Sequence, residues 1–177
     1  MKKREQRRDQ TRKLTVCAML SALGVVLLWL GSVVEVVDVS MAVIASLLCV
    51  FAVIEYGGGA PWMVFAVTAI LSLILVPQKT PAVMYAIFFG YYPILKEKLE
   101  RLPKLVAWLS KEAIFNVALI LMLVLSRFLL FGSETQATWL YIAVALLAEL
   151  VFPLYDVALT RLISFYIYHL RRRFRIK

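Results

Sequence analysis

An all-α polytopic membrane protein, a six-helix transmembrane bundle with a short cytoplasmic amphipathic helix, is the fold class the sequence predicts. Three observations lead there. Of the 177 residues, 63% are hydrophobic, and the mean hydropathy is +0.85. Soluble domains sit nearer half apolar, and a soluble fold of this size cannot hide that much apolar surface. The apolar residues gather in runs close to the length that crosses a bilayer, about 17 to 25 residues. The net charge of +9 lies between and beyond those runs, which fits a membrane surface rather than nucleic acid.

Taken in order, the first run covers 14–33 and follows a basic segment, 1–13, "MKKREQRRDQTRK". A cleaved signal would place a small-residue site after a short apolar core. "WLGSVVEVVDVS" offers only a weak one and more runs follow, so this run is expected to stay as a span. Spans two and three, 40–56 and 60–77, are joined by "EYGGGAP", whose glycines permit a tight turn with positive φ. The fourth, 81–95, is short, so five spans and a re-entrant segment form the alternative. "YYPILKEKLERLPK" follows, bracketed by Pro93 and Pro103. Ile94, Leu95, Leu99 and Leu102 share a helical face there, and Glu97 and Arg101 form an i,i+4 pair, which predicts an amphipathic helix on the inner membrane surface. The fifth span is placed at 107–131, with Ser110 as its cap and Glu112 in its first turn. The sixth is placed at 137–160. The segment 161–177 mixes aromatic and basic residues and reads as an interfacial anchor on anionic lipid. No second domain, low-complexity linker or internal repeat is evident.

Loop charge sets the expected orientation. Seven of the 20 Lys and Arg precede span one, five lie between 96 and 111, and six lie from 161 onward. The alternate loops, "SVVEVVDVS", "VPQKT" and "FGSETQ", hold one Lys and three acids between them. The positive-inside rule then puts both termini in the cytoplasm, and six spans satisfy the alternation where five do not.

The chain lacks the signatures of an enzyme. There is no GxxxxGK[ST] phosphate loop, no Ser–His–Asp set, and no paired carboxylates. Cys17 and Cys49 lie in different spans with no CxxC spacing, and the single His169 has no partner at metal-binding distance in sequence. No cofactor, metal or nucleic-acid partner is expected.

Ionisable groups inside spans are costly and are the first candidates for function. Glu149 lies about 18 Å into span six, and Pro153 four residues later cannot donate to its carbonyl. A kink is expected there. Asn116 in span five can reach the same level, and Asp156 and Arg161 lie lower. This cluster fits a solute or proton site or a gating hinge, but its place toward the inner side favours a structural knot between spans five and six. Toward the outer face, Glu35, Asp38, Gln78, Tyr85, Arg127 and Trp139 are the candidates for contact with a small solute, alongside ordinary roles as interface anchors.

Span one carries Ala18 and Ala22 one turn apart, with Ser21 and Gly24 on the same broad side. In lipid, helices associate where small residues let backbones approach. The pattern fits a grip on another protein, and also packing within the chain. "LTVCAMLSALGVVL" after a basic N-terminus resembles the first helix of the S components of energy-coupling factor (ECF) vitamin and micronutrient transporters, which carries an AxxxA pattern; Ala18 and Ala22 match it. "DVSMAVIASLLCVFAVIEYGGGAPWMVFAVTAIL" is similar to the second and third helices of that family. The resemblance implies a subunit of the bacterial plasma membrane that captures a small solute outside the cell. It implies docking, through Ala18 and Ala22, on a transmembrane coupling protein driven by ATPase subunits. A non-catalytic membrane scaffold of a cell-envelope complex is the alternative, since such proteins share this length and charge layout.

Overall fold

The computed structural model describes residues 2–129 and 138–170. Among them every regular element is helical. α1 runs over Lys2–Val33, α2 over Asp38–Glu55 after a 3₁₀ turn at Glu35–Val37, and α3 over Ala60–Leu75. α4, Lys79–Met84, leads into a π-helical turn at Tyr85–Phe89; α5 covers Tyr92–Leu99, α6 Lys104–Leu129 and α7 Thr138–Phe165, which closes in a second π turn, Tyr166–Leu170. Four of these helices are long and apolar enough to cross a membrane, over Arg7–Val33, Asp38–Glu55, Lys104–Leu125 and Ile142–Tyr168. The apolar Ala60–Leu75 is shorter, about 24 Å against a hydrocarbon core of about 30 Å.

The ends of these helices follow from local chemistry. Gly57 and Gly58 have φ of 54° and 56°, a region that other residues enter at a cost. The Gly57 N–H donates to the Ala52 carbonyl at 3.2 Å, which closes α2 and turns the chain into α3. α3 stops because Pro77 pushes Val76 out of helical geometry, to ψ 128°. The Lys79 ammonium then donates to the freed Val76 carbonyl at 2.7 Å.

Two expectations change at the fourth run. The stretch expected as one span at 81–95 is two pieces, with the break at Gly90 and Tyr91. Pro93 has no N–H for the carbonyl four residues back, and the Gly90 N–H reaches back five residues to Tyr85 at 2.7 Å instead. A side chain at Gly90 would also strike Phe65 at 2.6 Å. α5, expected as a surface helix, buries Tyr92, Pro93, Ile94 and Lys96 and packs on α2. The expected Glu97–Arg101 pair is formed at 2.8 Å. Ser110 is not a cap: α6 starts directly after Pro103, whose carbonyl accepts from the Ala107 N–H at 2.9 Å. The basic segment is helical from Lys2 and continuous with the apolar part of α1.

Two compact units divide the chain, Met1–Ala118 and Leu119–Lys177. In the first, α1 packs on both α2 and α3. Its covered row is Cys17, Ser21, Gly24, Leu28 and Gly31, spaced three and four apart as one helical face. The packing is close because the residues are small. A Cβ on Gly24 would lie 2.9 Å from Thr68 Cγ2, and one on Gly31 would lie 2.8 Å from Met41 Cβ. Ser21 Oγ donates to its own Cys17 carbonyl at 2.9 Å and meets the Val64 carbonyl of α3 at 3.5 Å. α2 brings Met41 and Leu48 to this face and α3 brings Val64 and Thr68, while Ala42, Ala45, Cys49 and Ala60 belong to the same buried cluster as Cys17 and Leu28. Backbone approach through small residues is how membrane helices associate in the absence of hydrophobic exclusion. The second unit holds the end of α6 and all of α7, and Pro153 lies inside the α7 helix.

Candidate functional site

Ala18 and Ala22 lie outside the packed row of α1. Both are exposed, with the exposed side chains of Leu14 and Val26 one turn beyond on either side. Ser21 and Gly24, grouped with them from spacing, instead belong to the buried face. The separation comes from the 100° advance per residue: Ala18 follows Cys17 by one position and Ala22 follows Ser21 by one, so the two pairs point in different directions. α1 therefore has two small-residue faces, one filled by α2 and α3 and one left bare.

The candidates expected toward the outer face occupy different settings. Glu35 lies in the 3₁₀ turn before α2. Asp38 starts α2 half-buried, and its Oδ1 accepts from the Val39 N–H at 2.6 Å, a favourable place for a carboxylate at a helix N-terminus. Gln78 precedes α4 and is exposed. Tyr85 is fully buried; its hydroxyl lies 3.1 Å from Cys49 Sγ, and its ring faces Phe65 at 6.1 Å. Arg127 is carried by the last turn of α6. Trp139 opens α7 and is 67% exposed. The structure joins Tyr85 to the α2–α3 core through those contacts. The loop "FGSETQ" and the terminal "RRRFRIK" lie outside the described residues.

Of the polar group expected within the membrane, Asn116 lies in the first unit, where its amide donates to the Glu112 carbonyl at 3.1 Å. Glu149 and Asp156 lie half-buried in the second, two turns apart on one side of α7. The Asp156 carbonyl accepts from the Thr160 hydroxyl at 2.9 Å.

A charged cluster that spacing did not single out sits where α5 meets α6. Lys96 is 1% exposed and its ammonium lies 3.0 Å from Glu100 Oε1; Lys111, from α6, reaches the same oxygen at 3.4 Å. A lysine that deep needs a carboxylate close by. The signal for it was present as a Lys–Glu i,i+4 pair, but the sequence showed Lys96 only as one more basic loop residue. Among the described residues no group of three or more His, Cys, Asp or Glu is placed to hold a metal ion.

Compared with protein-family models, characterised proteins and solved structures, the chain has no match.

Proposed function

We propose that the chain is the solute-binding S component of an ECF-type transporter of the bacterial plasma membrane. In this reading the six helical stretches form six spans with both termini in the cytoplasm. The chain takes up a small micronutrient from outside and docks on a transmembrane coupling protein whose ATPase subunits supply the energy. It is not itself an enzyme and needs no cofactor. The observation that carries the reading is the bare Ala18–Ala22 strip. Small residues that the described helices of the first unit leave exposed offer another helix close backbone approach in lipid. The outer-face groups Glu35, Asp38, Gln78, Arg127 and Trp139 supply both charge signs and an aromatic ring for a polar solute.

The test is co-expression with a coupling subunit. Ala22→Trp is expected to leave the isolated protein folded and to abolish co-purification; a folded variant that still co-purifies sinks the docking role. Mass spectrometry of gently purified protein should also find a retained small molecule.

A second reading, a membrane scaffold without solute, is favoured by one residue. Tyr85, a candidate pocket wall, is enclosed by the protein's own side chains, Cys49 and Phe65 among them. A scaffold would show no retained molecule and would tolerate charge reversal at Asp38 and Gln78→Lys without loss of partner binding.

A further inference from the structure

α5 and α6 are joined by a link through which no helix runs. Past Leu99 the backbone bonds tighten to three-residue steps. The Arg101 N–H donates to the Lys98 carbonyl at 3.3 Å and the Leu102 N–H to the Leu99 carbonyl at 3.0 Å, the weaker pattern of a helix end. Pro103 then brings no N–H, and α6 begins afresh at Lys104. Residues 101–103 are all exposed. α6 itself is lightly covered. In its apolar window only 6% of the residues are buried by the protein, and Leu105, Trp108, Leu109 and Val117 stand exposed.

Lys111 and Phe115, one turn apart on α6, both reach back to the preceding elements. Phe115 packs on Phe88 with ring centroids 5.3 Å apart. Lys111 reaches Glu100 Oε1 at 3.4 Å, the oxygen that Lys96 holds at 3.0 Å. The three side chains differ sharply in exposure: 1% for Lys96, 10% for Lys111 and 42% for Glu100. The cations are the sheltered members and the anion between them faces solvent. A sheltered ammonium needs an opposite charge close by, which draws Glu100 inward. A carboxylate open to water is nevertheless screened by salt and exchanges its partners for solvent at small cost.

We infer that Glu100 is a releasable latch across the Pro103 link. Closed, its Oε1 bridges Lys96 of α5 and Lys111 of α6. Open, the carboxylate turns to solvent, α6 swings at residues 101–103, and the two ammonium groups become reachable. Release is assigned to Glu100 because it is the exposed member, and the swing to α6 because so little of that helix is covered. The inference does not depend on the transporter reading and applies equally to a scaffold. A purely structural ion pair would hold α5 and α6 alike at every ionic strength, whereas the latch opens under ionic competition.

The experiment measures acetylation of each lysine by mass spectrometry, on the full chain in phosphatidylcholine nanodiscs. The exposed Lys98 and Lys104 serve as internal references. As ionic strength rises from about 0.1 M to about 1 M, Lys111 labelling should rise about fivefold against those references, with Lys96 following. Glu100→Gln should show the raised labelling already at low salt and lose the salt response. Glu100→Asp, charged but shorter, should fall between. Spin labels on Lys98→Cys and Ala113→Cys, both exposed positions, report the swing, since the native Cys17 and Cys49 are buried. They should give one distance at low salt and a second population at high salt. The salt series uses the unaltered lysines and Glu100, so it holds whether or not the Glu100 variants fold. Salt-independent labelling of Lys111 overturns the latch. So does Glu100→Gln labelling equal to that of the unaltered chain, or a rise in labelling with an unchanged spin-label distance.

Discussion

Two faces of α1 both carry small residues, yet one is packed and the other is bare. Cys17, Ser21, Gly24 and Gly31 are covered by α2 and α3, while Ala18 and Ala22, one position further along, stand exposed. A single residue step turns a side chain by about 100°, which decides which row meets the neighbouring helices. Small residues are thus necessary for close approach in lipid but do not say which face uses it. The same contrast holds on a larger scale. In the apolar window of α1, 39% of the residues are buried by the protein, against 11% in that of α7. Leu146, Leu147 and Leu150 of α7 are each at least two-thirds exposed, a pattern suited to lipid or to a partner.

Substitutions on α1 can break this comparison. The largest effect is expected at Gly31→Leu. The new Cβ would meet Met41 Cβ at 2.8 Å, and overpacking of this kind costs about 3 kcal/mol. A marked drop in the thermal midpoint of the purified protein checks it; an unchanged midpoint would mean that α1 and α2 do not touch there. Ser21→Ala should cost less, about 1 kcal/mol, because its hydroxyl is buried and meets carbonyls of α1 and α3. Denaturant titration in detergent measures that loss. Ala18→Leu is expected to change stability by less than about 0.5 kcal/mol, as exposed sites usually do. A loss equal to that of Gly31→Leu would show the bare face to be buried in the folded protein and would remove the distinction between the two faces.

Much of the architecture was legible in the residues. The ends of α2 and α3 fall within a few positions of the expected 40–56 and 60–77, because the YGGG turn and Pro77 are local signals. The Glu97–Arg101 pair was legible for the same reason. The fourth run was harder to place. Its hydropathy reads as continuous, but Pro93 removes a donor and Gly90 admits Phe65, and the helix divides. The candidate site was legible only as a set of residue types. Tyr85 was expected near a pocket and is held in the core by Cys49 and Phe65, a contact between segments far apart in sequence. Lys96 was read as a loop charge and is buried against Glu100.

The sequence by itself determined that this is a helical chain with several apolar segments of spanning length, flanked by clusters of basic residues. Those properties depend on residue transfer energies and on hydrogen bonds made within each helix, and both are local. Only the tertiary structure decided which side of α1 is filled, where the fourth run breaks and which lysine is sheltered. Those outcomes depend on what each side chain meets across a helix interface, and no spacing along one chain specifies the neighbour.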